Sequence, residues 1–455
     1  MTTTLIRNAT ILTMDKQRRI FQGGDVLVSQ GKIAAIGGVP EDMIPEDAEI
    51  VDATGKLVLP GLINTHVHTS QQLERGLADD VNLLTWLHDR TWPFESALLE
   101  DDSYFSTLAC GIELIKSGVT TFAEAGGQHV NGMARGVRKL GMRAALCQSS
   151  MDCGQGLPDG WVRPTQQVLD EQLGLHARWH GQADGRISVW LGLRTIFNCS
   201  DELIRRTMRE AERLNTRVHM HVAEVREEVE FVRDTRGATT VRHLADIDAL
   251  SPNLLAVHTV WLTPEEVALF AEHDVKVSHN PAAAMRVLGF APVPDMIRAG
   301  VSVSIGTDGA PCNNRMDMFD EMYTTSLIHK GRYLDPTIIT AETILEMATL
   351  HGARCMGMER EIGSLEPGKQ ADLILVDPRD AGSLPLHDPV TGLVTAMHSS
   401  NVDSTMCAGQ WLMRDRKILT VDEDMLLDEI QERAEHIRER AGINLPSRYP
   451  VIKVR

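Results

Sequence analysis

The stretch 254-LLAVHTVWLTPEEVALFAEHDVKVSHN-280 decides the fold, because it contains a strand, a helix and a second strand in direct succession. LLAVHTV and VKVSHN are short apolar runs typical of buried strands, and the segment TPEEVALFAEHD between them has the apolar spacing of a helix. Two strands joined through a helix form a βαβ unit, in which the strands run parallel. The stretch therefore predicts a parallel sheet covered by helices.

The same alternation begins at about residue 59 and continues to about residue 368. Strands and helices follow one another there as GVTTFAEA with VNGMARGVRKLG, ISVWLGL with SDELIRRTMREAERLN, and RVHMHVAE with EEVEFVRDTRG, before a last strand VSVSIGTDG. So many units in residues 59–368 favour a closed (β/α)8 barrel. The active-site residues of such a barrel lie where its strands end.

The two ends of the chain differ from the barrel in pattern. Residues 1–58 contain short β-like runs between Gly, Asp and Pro turns, and β-like runs return in residues 369–422. We expect these two regions to pair into one discontinuous β-module. Residues 423–455 begin with EDMLLDEIQERAEHIRERAG, whose apolar residues have helical spacing. We expect this helix to pack on the body of the protein or on a partner subunit.

Composition limits the possible partners. The 45 Lys and Arg against 63 Asp and Glu give a net charge of -18, which argues against nucleic acid or an anionic membrane surface. A small-molecule ligand is more compatible with this charge. No apolar run approaches the roughly 20 residues of a membrane span, and MTTTLIRNATILTMD lacks the features of a signal peptide, so we expect a cytoplasmic protein.

The cysteines exclude one kind of metal site. The 7 cysteines are scattered along the chain and never form a C-x-x-C pair. This pattern indicates neither a disulfide framework nor a thiolate zinc site. A metal in this protein would therefore need histidine and carboxylate ligands.

Two pairs of histidines stand at strand ends. His66 and His68 close the run PGLINTHVH, and His219 and His221 lie in VHMHVAE. Residues two apart on a strand point to the same face, so each pair can converge on one ion at the ~2.0–2.1 Å of a zinc–nitrogen bond. Each pair taken alone also fits polar residues that finish a strand. Strand parity does not choose between His219 and His221.

Three further strand ends carry single polar groups, namely Glu224 after VHMHVA, His258 in LLAVHTV and Asp308 in VSIGTDG. Taken alone, each of these residues has a simpler explanation. Glu224 would be a solvated charge of the acidic segment EVREEVEFV, His258 would be a polar cap of its strand, and Asp308 would be a turn residue before glycine. Taken with the histidine pairs, in a barrel whose catalytic face is the carboxyl end of its strands, they indicate one metal site.

These residues and their flanks resemble the amidohydrolase superfamily, in particular its branch of cytosine, guanine and adenosine-type deaminases and triazine hydrolases. The resemblance covers almost the whole chain through LVLPGLINTHVH, ELIKSGVTTFAE, HMHVAE, AVHTVWLTPEE, VSIGTDGAPCNNRMDMFDEM and EIGSLEPGKQADLILVDP. It implies an α/β fold with a distorted (β/α)8 TIM barrel and a small composite β-sandwich domain built from both termini.

The same resemblance implies a metal site with one ion per subunit. Its ligands would be His66, His68, His221 and Asp308, so the likeness selects His221 over His219. Zinc is the expected ion and iron the alternative. A homodimer or homotetramer is expected, because such assemblies are common among members of this branch.

The activity implied is the hydrolytic removal of ammonia from an aminated N-heterocycle, which would be a pyrimidine or purine base or nucleoside, or an aminated triazine. By the family mechanism, Asp308 takes the proton of the attacking water, Glu224 protonates the ring nitrogen, and His258 orients the nucleophile. Some triazine hydrolases of the family lack the glutamate, whereas this sequence retains it.

The substrate side of the site gives mixed signals. The segment 75-RGLADDVNLLTWLHDRTWPFE-95 resembles methylthioadenosine and S-adenosylhomocysteine deaminases, in which a glutamate at the place of Glu95 contacts ribose. However, Arg194 stands where those enzymes usually have a histidine, and Ala283 and Ala284 replace a usual Ser-Asn pair. These departures suggest a different ring or ring substituent.

Five residues are our candidates for substrate contact: Gln71, Trp86, Glu95, Arg194 and His279. Glu124 is a weaker candidate. Each of four candidates also has a structural explanation. Trp86 would be a core residue on a helix face, and Glu95 a solvated charge. Arg194 would form a surface salt bridge, and His279 would be a structural residue at a strand end.

Two other enzyme classes remain as alternatives. The segments GRISVWLGL, APVPDM and ILEMAT also resemble atrazine chlorohydrolase and melamine deaminase, so a triazine chlorohydrolase or aminohydrolase stays possible. A cyclic-amide hydrolase typically uses two metals and a carboxylated lysine, but no lysine ends a strand before HMHVAE. A barrel without metal that serves in assembly is the non-enzymatic alternative. Metal content of one, two or none per chain would separate deaminase, amidase and assembly protein.

Overall fold

The computed structural model describes residues 3–81, 83–445, 447 and 449–452. Residues 1–2 of the predicted N-terminal module lie outside this range. So do residue 82 of the predicted substrate segment and residues 446, 448 and 453–455 of the predicted C-terminal tail.

The strands fall into two groups, one at the ends of the chain and one in its middle. Those of the ends are β1 (Thr4–Leu12), β2 (Ile20–Ser29), β3 (Lys32–Gly37), β4 (Glu49–Asp52), β5 (Leu57–Pro60), β15 (Leu373–Val376), β16 (Val402–Cys407), β17 (Gln410–Arg414) and β18 (Lys417–Ile418). Those of the middle are β6 (Leu62–Val67), β7 (Val119–Glu124), β8 (Arg143–Leu146), β9 (Ile187–Val189), β10 (Leu191–Leu193), β11 (Val218–Val222), β12 (Leu254–His258), β13 (Lys276–His279) and β14 (Val303–Ile305).

The helices mostly lie between the middle strands. They are α1 (Leu83–Trp86), α2 (Trp92–Ser96), α3 (Glu100–Lys116), α4 (Val130–Leu140), α5 (Thr165–Trp179), α6 (Asp201–Leu214), α7 (Arg226–Arg236), α8 (Thr240–Asp246), α9 (Pro264–Glu272), α10 (Pro281–Ala283), α11 (Val293–Arg298), α12 (Ala310–Asn313), α13 (Met318–Tyr333), α14 (Ala341–Glu346), α15 (Gly352–Met356), α16 (Pro389–Thr395) and α17 (Glu423–Arg440). Short 3₁₀ turns occupy Glu41–Met43, Thr69–Glu74 and Ser399–Asn401, and π-helical turns occupy Leu87–Thr91, Ala284–Leu288 and Met347–His351.

The middle strands form a parallel barrel. Two parallel sheets, of order β6-β7-β8-β9 and β10-β11-β12-β13-β14, meet at Trp190 between β9 and β10. The barrel closes from β14 to β6, where the amide of Asp308 donates a hydrogen bond of 2.9 Å to the carbonyl of His66. The carboxyl ends of these strands therefore surround one common region.

Amphipathic helices cover the barrel, as α6 illustrates. Its buried residues recur at steps of three or four, as Ile204, Met208 and Ala211 do, which places them on one face. The hydroxyl of Ser200 accepts a hydrogen bond from the amide of Leu203 and so caps the first turn. The helix ends at Leu214 and is capped by Asn215, whose φ of 50° lies in the left-handed region.

The end strands form a mixed sheet of order β18-β17-β16-β15-β5-β1-β2-β3, with β4 paired to β1. Antiparallel pairing of β5 with β15 joins the two ends of the chain, as in the contact of Leu59 with Ile374. The sheet has a buried apolar core of its own, which includes Ile11, Val26 and Leu373. The predicted domain boundaries remain predictions.

The C-terminal helix α17 packs on the body of the protein. Ile437 is buried in a cluster with Phe94 and Leu98. Arg433 and Arg440 both pair with the carboxylate of Asp102 on α3. Among the described residues, no helix is long and apolar enough to cross a membrane.

Candidate metal centre and active site

Five polar side chains meet at the carboxyl ends of the barrel strands. His66 lies on β6 and His68 just after it, His221 lies on β11, His258 ends β12, and Asp308 follows β14. All five are buried, with exposed fractions between 0% and 4%. Parallel pairing of β11 with β12 sets Val222 beside His258 and so aligns these two strand ends.

The donor atoms of these residues form two overlapping triplets that share His66. Ligand atoms of His66, His68 and Asp308 all lie within 4.8 Å of one another, and the same holds for His66, His221 and His258. Nε2 of His66 is 3.2 Å and Nε2 of His68 is 3.6 Å from Oδ1 of Asp308. Two ligands at ~2.1 Å from a tetrahedral zinc ion are roughly 3.4 Å apart, so these separations fit shared coordination.

Hydrogen bonds behind two of the histidines, His66 and His221, turn one ring nitrogen of each toward the centre. Nδ1 of His221 bonds to the carbonyl oxygen of Arg194 at 2.9 Å, and Nδ1 of His66 lies 2.9 Å from Nε2 of His219. Nε2 of both His66 and His221 is then directed inward, as in metal sites whose ligands are held from behind. His221 is thus in the cluster, and His219 lies behind His66.

The charge states also suit a metal ion. Burial lowers the pKa of His66, and it lowers the pKa values of His68 and His221 well below their usual range, with the positive charge of His66 adding to the effect. Burial alone would raise the pKa of Asp308, but hydrogen bonding and charge from His66 prevail and lower it. Neutral imidazoles with an ionised carboxylate are the donor set that zinc prefers.

The backbone at two of these strand ends is in the left-handed region. His258 has φ 68° and Asp308 has φ 62°. Such values are uncommon for residues other than glycine and cluster at functional sites. The amide of Gly309 donates a hydrogen bond of 2.7 Å to Oδ1 of Asp308 and fixes this side chain.

Glu224 stands beside the cluster with access to open space. Its side chain is 25% exposed, and its Oε1 lies 3.6 Å from Nε2 of His258. Nε2 of His258 is also 3.8 Å from Oδ2 of Asp308, and its Nδ1 contacts Nδ2 of Asn280 at 3.1 Å. Burial raises the pKa of Glu224, although His258 opposes the rise. A carboxyl group whose pKa is raised in this way is suited to general acid and base chemistry.

A cavity of about 240 Å³ opens from Glu224 and Asp308. Trp86 forms part of its wall, and the indole Nε1 donates a hydrogen bond of 3.4 Å to the carbonyl of Pro311. The other lining residues are Ala78, Asp80, Val81, Ala283, Arg286, Val287, Leu288, Pro311 and Cys312. Most of the lining residues are apolar and four are charged, Asp80, Glu224, Arg286 and Asp308, a mixture that is usual for a small-molecule site.

Three of the substrate-side candidates form a second buried cluster. Nε2 of Gln71 donates a hydrogen bond of 2.9 Å to Oε1 of Glu95, and Nη2 of Arg194 lies 4.0 Å from Oε2 of Glu95. Gln71 approaches the Asp308 loop so closely that a Cβ atom at Gly309 would lie 2.2 Å from its Oε1. Within the described part of the chain, Oε1 of Gln71 and Oε2 of Glu95 have no hydrogen-bond partner.

His279 and Glu124 lie elsewhere. His279 is 1% exposed, does not line the cavity, and packs with its Nε2 3.2 Å from Nε2 of His329. Its position favours the structural alternative over the substrate contact that we predicted. Glu124 accepts hydrogen bonds from the amide and the hydroxyl of Thr69, which follows the His68 strand end, and burial raises its pKa to about 7.

Two buried carboxyl groups near the site were not among the sequence candidates. Burial raises the pKa of Glu74 well above its usual value, and its carboxyl group interacts electrostatically with Glu95 and Arg194. Glu228 accepts hydrogen bonds from the amides of Ala223 and Glu224, and burial raises its pKa to about 8. Glu228 lies in an acidic stretch, and such a stretch predicts solvated side chains.

Comparison with known proteins agrees with this geometry. The amidohydrolase family model matches residues 57–412. The chain belongs to the amidohydrolase family. It is 36% identical over 440 residues to a 5'-deoxyadenosine deaminase of Methanobrevibacter smithii, covering 96% of this chain and 98% of the relative. It is also 36% identical over 438 residues to a 5-methylthioadenosine/S-adenosylhomocysteine deaminase of Pelotomaculum thermopropionicum, covering 95% and 98%.

Solved structures show the same fold. An adenosine deaminase from Xanthomonas campestris with bound zinc superposes with a TM-score of 0.91 at 29% identity, covering 96% of this chain and 99% of the other. Atrazine chlorohydrolase from Arthrobacter aurescens, complexed with zinc, gives a TM-score of 0.89 at 25% identity, covering 95% and 100%. These findings confirm the predicted family branch, the α/β barrel fold with its separate β-rich domain, and an amidohydrolase enzyme of the deaminase class.

Proposed function

We propose that this protein is a zinc-dependent aminohydrolase that releases ammonia from an aminated N-heterocycle. One observation carries the proposal: three buried neutral imidazoles and the ionised Asp308 converge beside Glu224, and Glu224 and Asp308 both line a small cavity. The ligands would be His66, His68, His221 and Asp308. Iron is the alternative ion, and one ion per chain is expected.

The metal supplies one part of the chemistry, since bound zinc lowers the pKa of water to near neutrality. The side chains of the chain supply the rest. Asp308 accepts a proton from the attacking water, and Nε2 of His258, between Glu224 and Asp308, orients that water. Glu224 donates a proton to the ring nitrogen beside the attacked carbon. A C–O bond forms, and the proton that Asp308 took from the water passes to the amino group. The C–N bond then breaks, ammonia leaves, and the new hydroxyl group returns a proton to Glu224 as the ring carbonyl forms.

Adenine nucleosides altered at the 5' position are the first substrates to test, because full-length relatives at 36% identity carry names of such deaminases. Glu95 and Gln71 support this choice, since each has a buried oxygen that accepts no hydrogen bond from the described residues. Such acceptors suit the hydroxyl donors of a sugar.

A smaller aminated pyrimidine or triazine is the second candidate. The ion pair between Arg194 and Glu95 favours it, because both oxygens of Glu95 then face protein groups, Oε1 the amide of Gln71 and Oε2 the guanidinium of Arg194.

We expect the active protein to be a homodimer or homotetramer in the cytoplasm.

The test is ammonia release from a panel of adenosine derivatives, isocytosine, cytosine, guanine, 8-oxoguanine, melamine and atrazine. Glu224→Gln and Asp308→Asn should abolish turnover, and Glu224→Gln should retain the metal. Glu227→Gln is the matched control, because Glu227 lies on the same segment but is exposed. Chloride release from atrazine without any ammonia would overturn the reaction class, and full activity of Glu224→Gln would overturn the role of Glu224.

A further inference from the structure

A single buried carboxyl group holds the backbone that carries Glu224. Glu228 lies in the first turn of α7 and is fully buried. Its Oε1 accepts a hydrogen bond of 2.8 Å from the amide of Ala223, and its Oε2 accepts one of 3.2 Å from the amide of Glu224. The two oxygens of one side chain therefore fix two successive peptide groups.

The residue before Glu224 is also held from the other side. Ala223 has φ 48°, in the left-handed region that residues other than glycine rarely adopt. Its carbonyl oxygen accepts hydrogen bonds of 3.0 Å from the amides of Val260 and Trp261, which follow the His258 strand end. Ala223 thus links the loops that carry the two polar groups facing each other at 3.6 Å, Glu224 and His258.

We infer that Glu228 is a positioning residue for proton transfer: it fixes the direction in which the Glu224 side chain enters the cavity. The inference rests on the proposed function, in which Glu224 donates the proton. Without the two hydrogen bonds from Glu228, only the carbonyl side of Ala223 is still held, by the amides of Val260 and Trp261, and the carboxyl group of Glu224 would move away from His258 and the ring nitrogen. A misplacement of about 1 Å can cost on the order of 10²-fold in rate.

The chain offers a matched control at Glu266. This residue is also buried, its Oε1 accepts a hydrogen bond of 3.1 Å from the amide of Val241, and its Oε2 accepts one of 2.9 Å from the amide of Thr263. Glu266 lies on α9 and does not line the cavity. Loss of its carboxylate removes the same kind of interaction without touching the Glu224 loop.

The experiment compares Glu228→Gln and Glu266→Gln as purified, zinc-loaded full-length proteins. In each variant, one amide-accepting oxygen becomes an NH₂ group. We expect Glu228→Gln to lower kcat at least 10-fold while KM stays within twofold, and Glu266→Gln to keep both values. Zinc content and Tm are measured in parallel. If Glu228 had a purely structural role, the two variants would lose the same amount of Tm and would have the same kcat.

Hydrogen exchange gives a readout that does not depend on turnover. We expect the amides of Ala223 and Glu224 to exchange faster in Glu228→Gln than in the wild type, and to be unchanged in Glu266→Gln. If Glu228→Gln does not fold, Glu228→Asp serves, because its carboxylate is one methylene shorter and cannot reach both amides. Normal kcat or unchanged exchange in a folded Glu228 variant overturns the inference. An active Glu224→Gln protein instead overturns the proposed function on which it rests.

Discussion

His219 gives the sharpest test of how the metal site is built. Its ring is fully buried and lies nearly parallel to that of His66, at 13° and a centroid distance of 5.0 Å. Its Nε2 is 2.9 Å from Nδ1 of His66. A His219→Phe substitution keeps a ring of similar shape in this place and removes the hydrogen bond. Because His66 is 0% exposed, water cannot replace the lost partner.

The expected effect follows from the role of such partners. A residue that holds a metal-binding histidine from behind typically contributes 10- to 100-fold to metal affinity, or about 1.4–2.8 kcal/mol. The cost of leaving a buried ring nitrogen unpaired, ~1–3 kcal/mol, is of the same size. We therefore expect His219→Phe to bind zinc 10- to 100-fold more weakly, and His221→Phe to lose far more affinity.

The assay is a competition titration of metal-free protein against a fluorescent zinc chelator at fixed pH. His243→Phe is the control, since His243 is also buried and its Nε2 bonds to Asp201 at 2.9 Å, away from the centre. Zinc affinity of His219→Phe within twofold of the wild type would refute the supporting role. Normal zinc affinity of His221→Phe together with a severe loss of affinity in His219→Phe would show that His219, and not His221, is the ligand.

Two further predictions concern stability. Arg143→Met leaves the buried carboxylate of Asp372 without its ion pair, whose contacts are 3.0 and 3.2 Å, and should lower the free energy of guanidinium unfolding by about 3–5 kcal/mol. Arg135→Met is the control, because its ion pairs are exposed, and it should lower this free energy by less than about 1 kcal/mol. Equal losses in the two variants would contradict the prediction. Burial raises the pKa of Glu124 to about 7, so the folded protein keeps a proton that the unfolded chain has released above about pH 4.3. Stability should therefore fall by up to ~3 kcal/mol between pH 5 and pH 7.5, and Glu124→Gln should flatten this slope in metal-free protein; identical slopes would contradict it.

Much of the architecture was accessible from the sequence. The alternation of apolar runs and helical segments in residues 59–368 predicted the parallel barrel. Because the carboxyl ends of barrel strands meet, it also predicted that His66, His68, His258 and Asp308 would lie together. Position along a strand was enough for this inference, since the strand end itself sets the place of the side chain.

The direction and environment of side chains were harder to predict. Alternation along a strand places His219 and His221 on the same face of β11. They differ only in their distance from the carboxyl end of this strand: His221, nearer that end, lies in the cluster, and His219 lies behind His66. His279 ends a strand as His258 does, yet it faces His329 on α13. Glu228 belongs to an acidic run, and its burial depends on how α7 packs, which no local pattern contains.

The pairing of β5 with β15 has a consequence for the order of folding. During synthesis, β1 to β5 emerge first, but the edge of β5 stays unpaired until the strand that begins at Leu373 has been made. The whole barrel must be translated in between, and an apolar strand edge that waits so long is prone to pair with other chains. Contacts of such large sequence separation also form slowly. β1 to β5 thus leave the ribosome before the barrel, yet they are among the last strands to complete their sheet. Nascent chains stalled within the barrel should therefore depend most on chaperones.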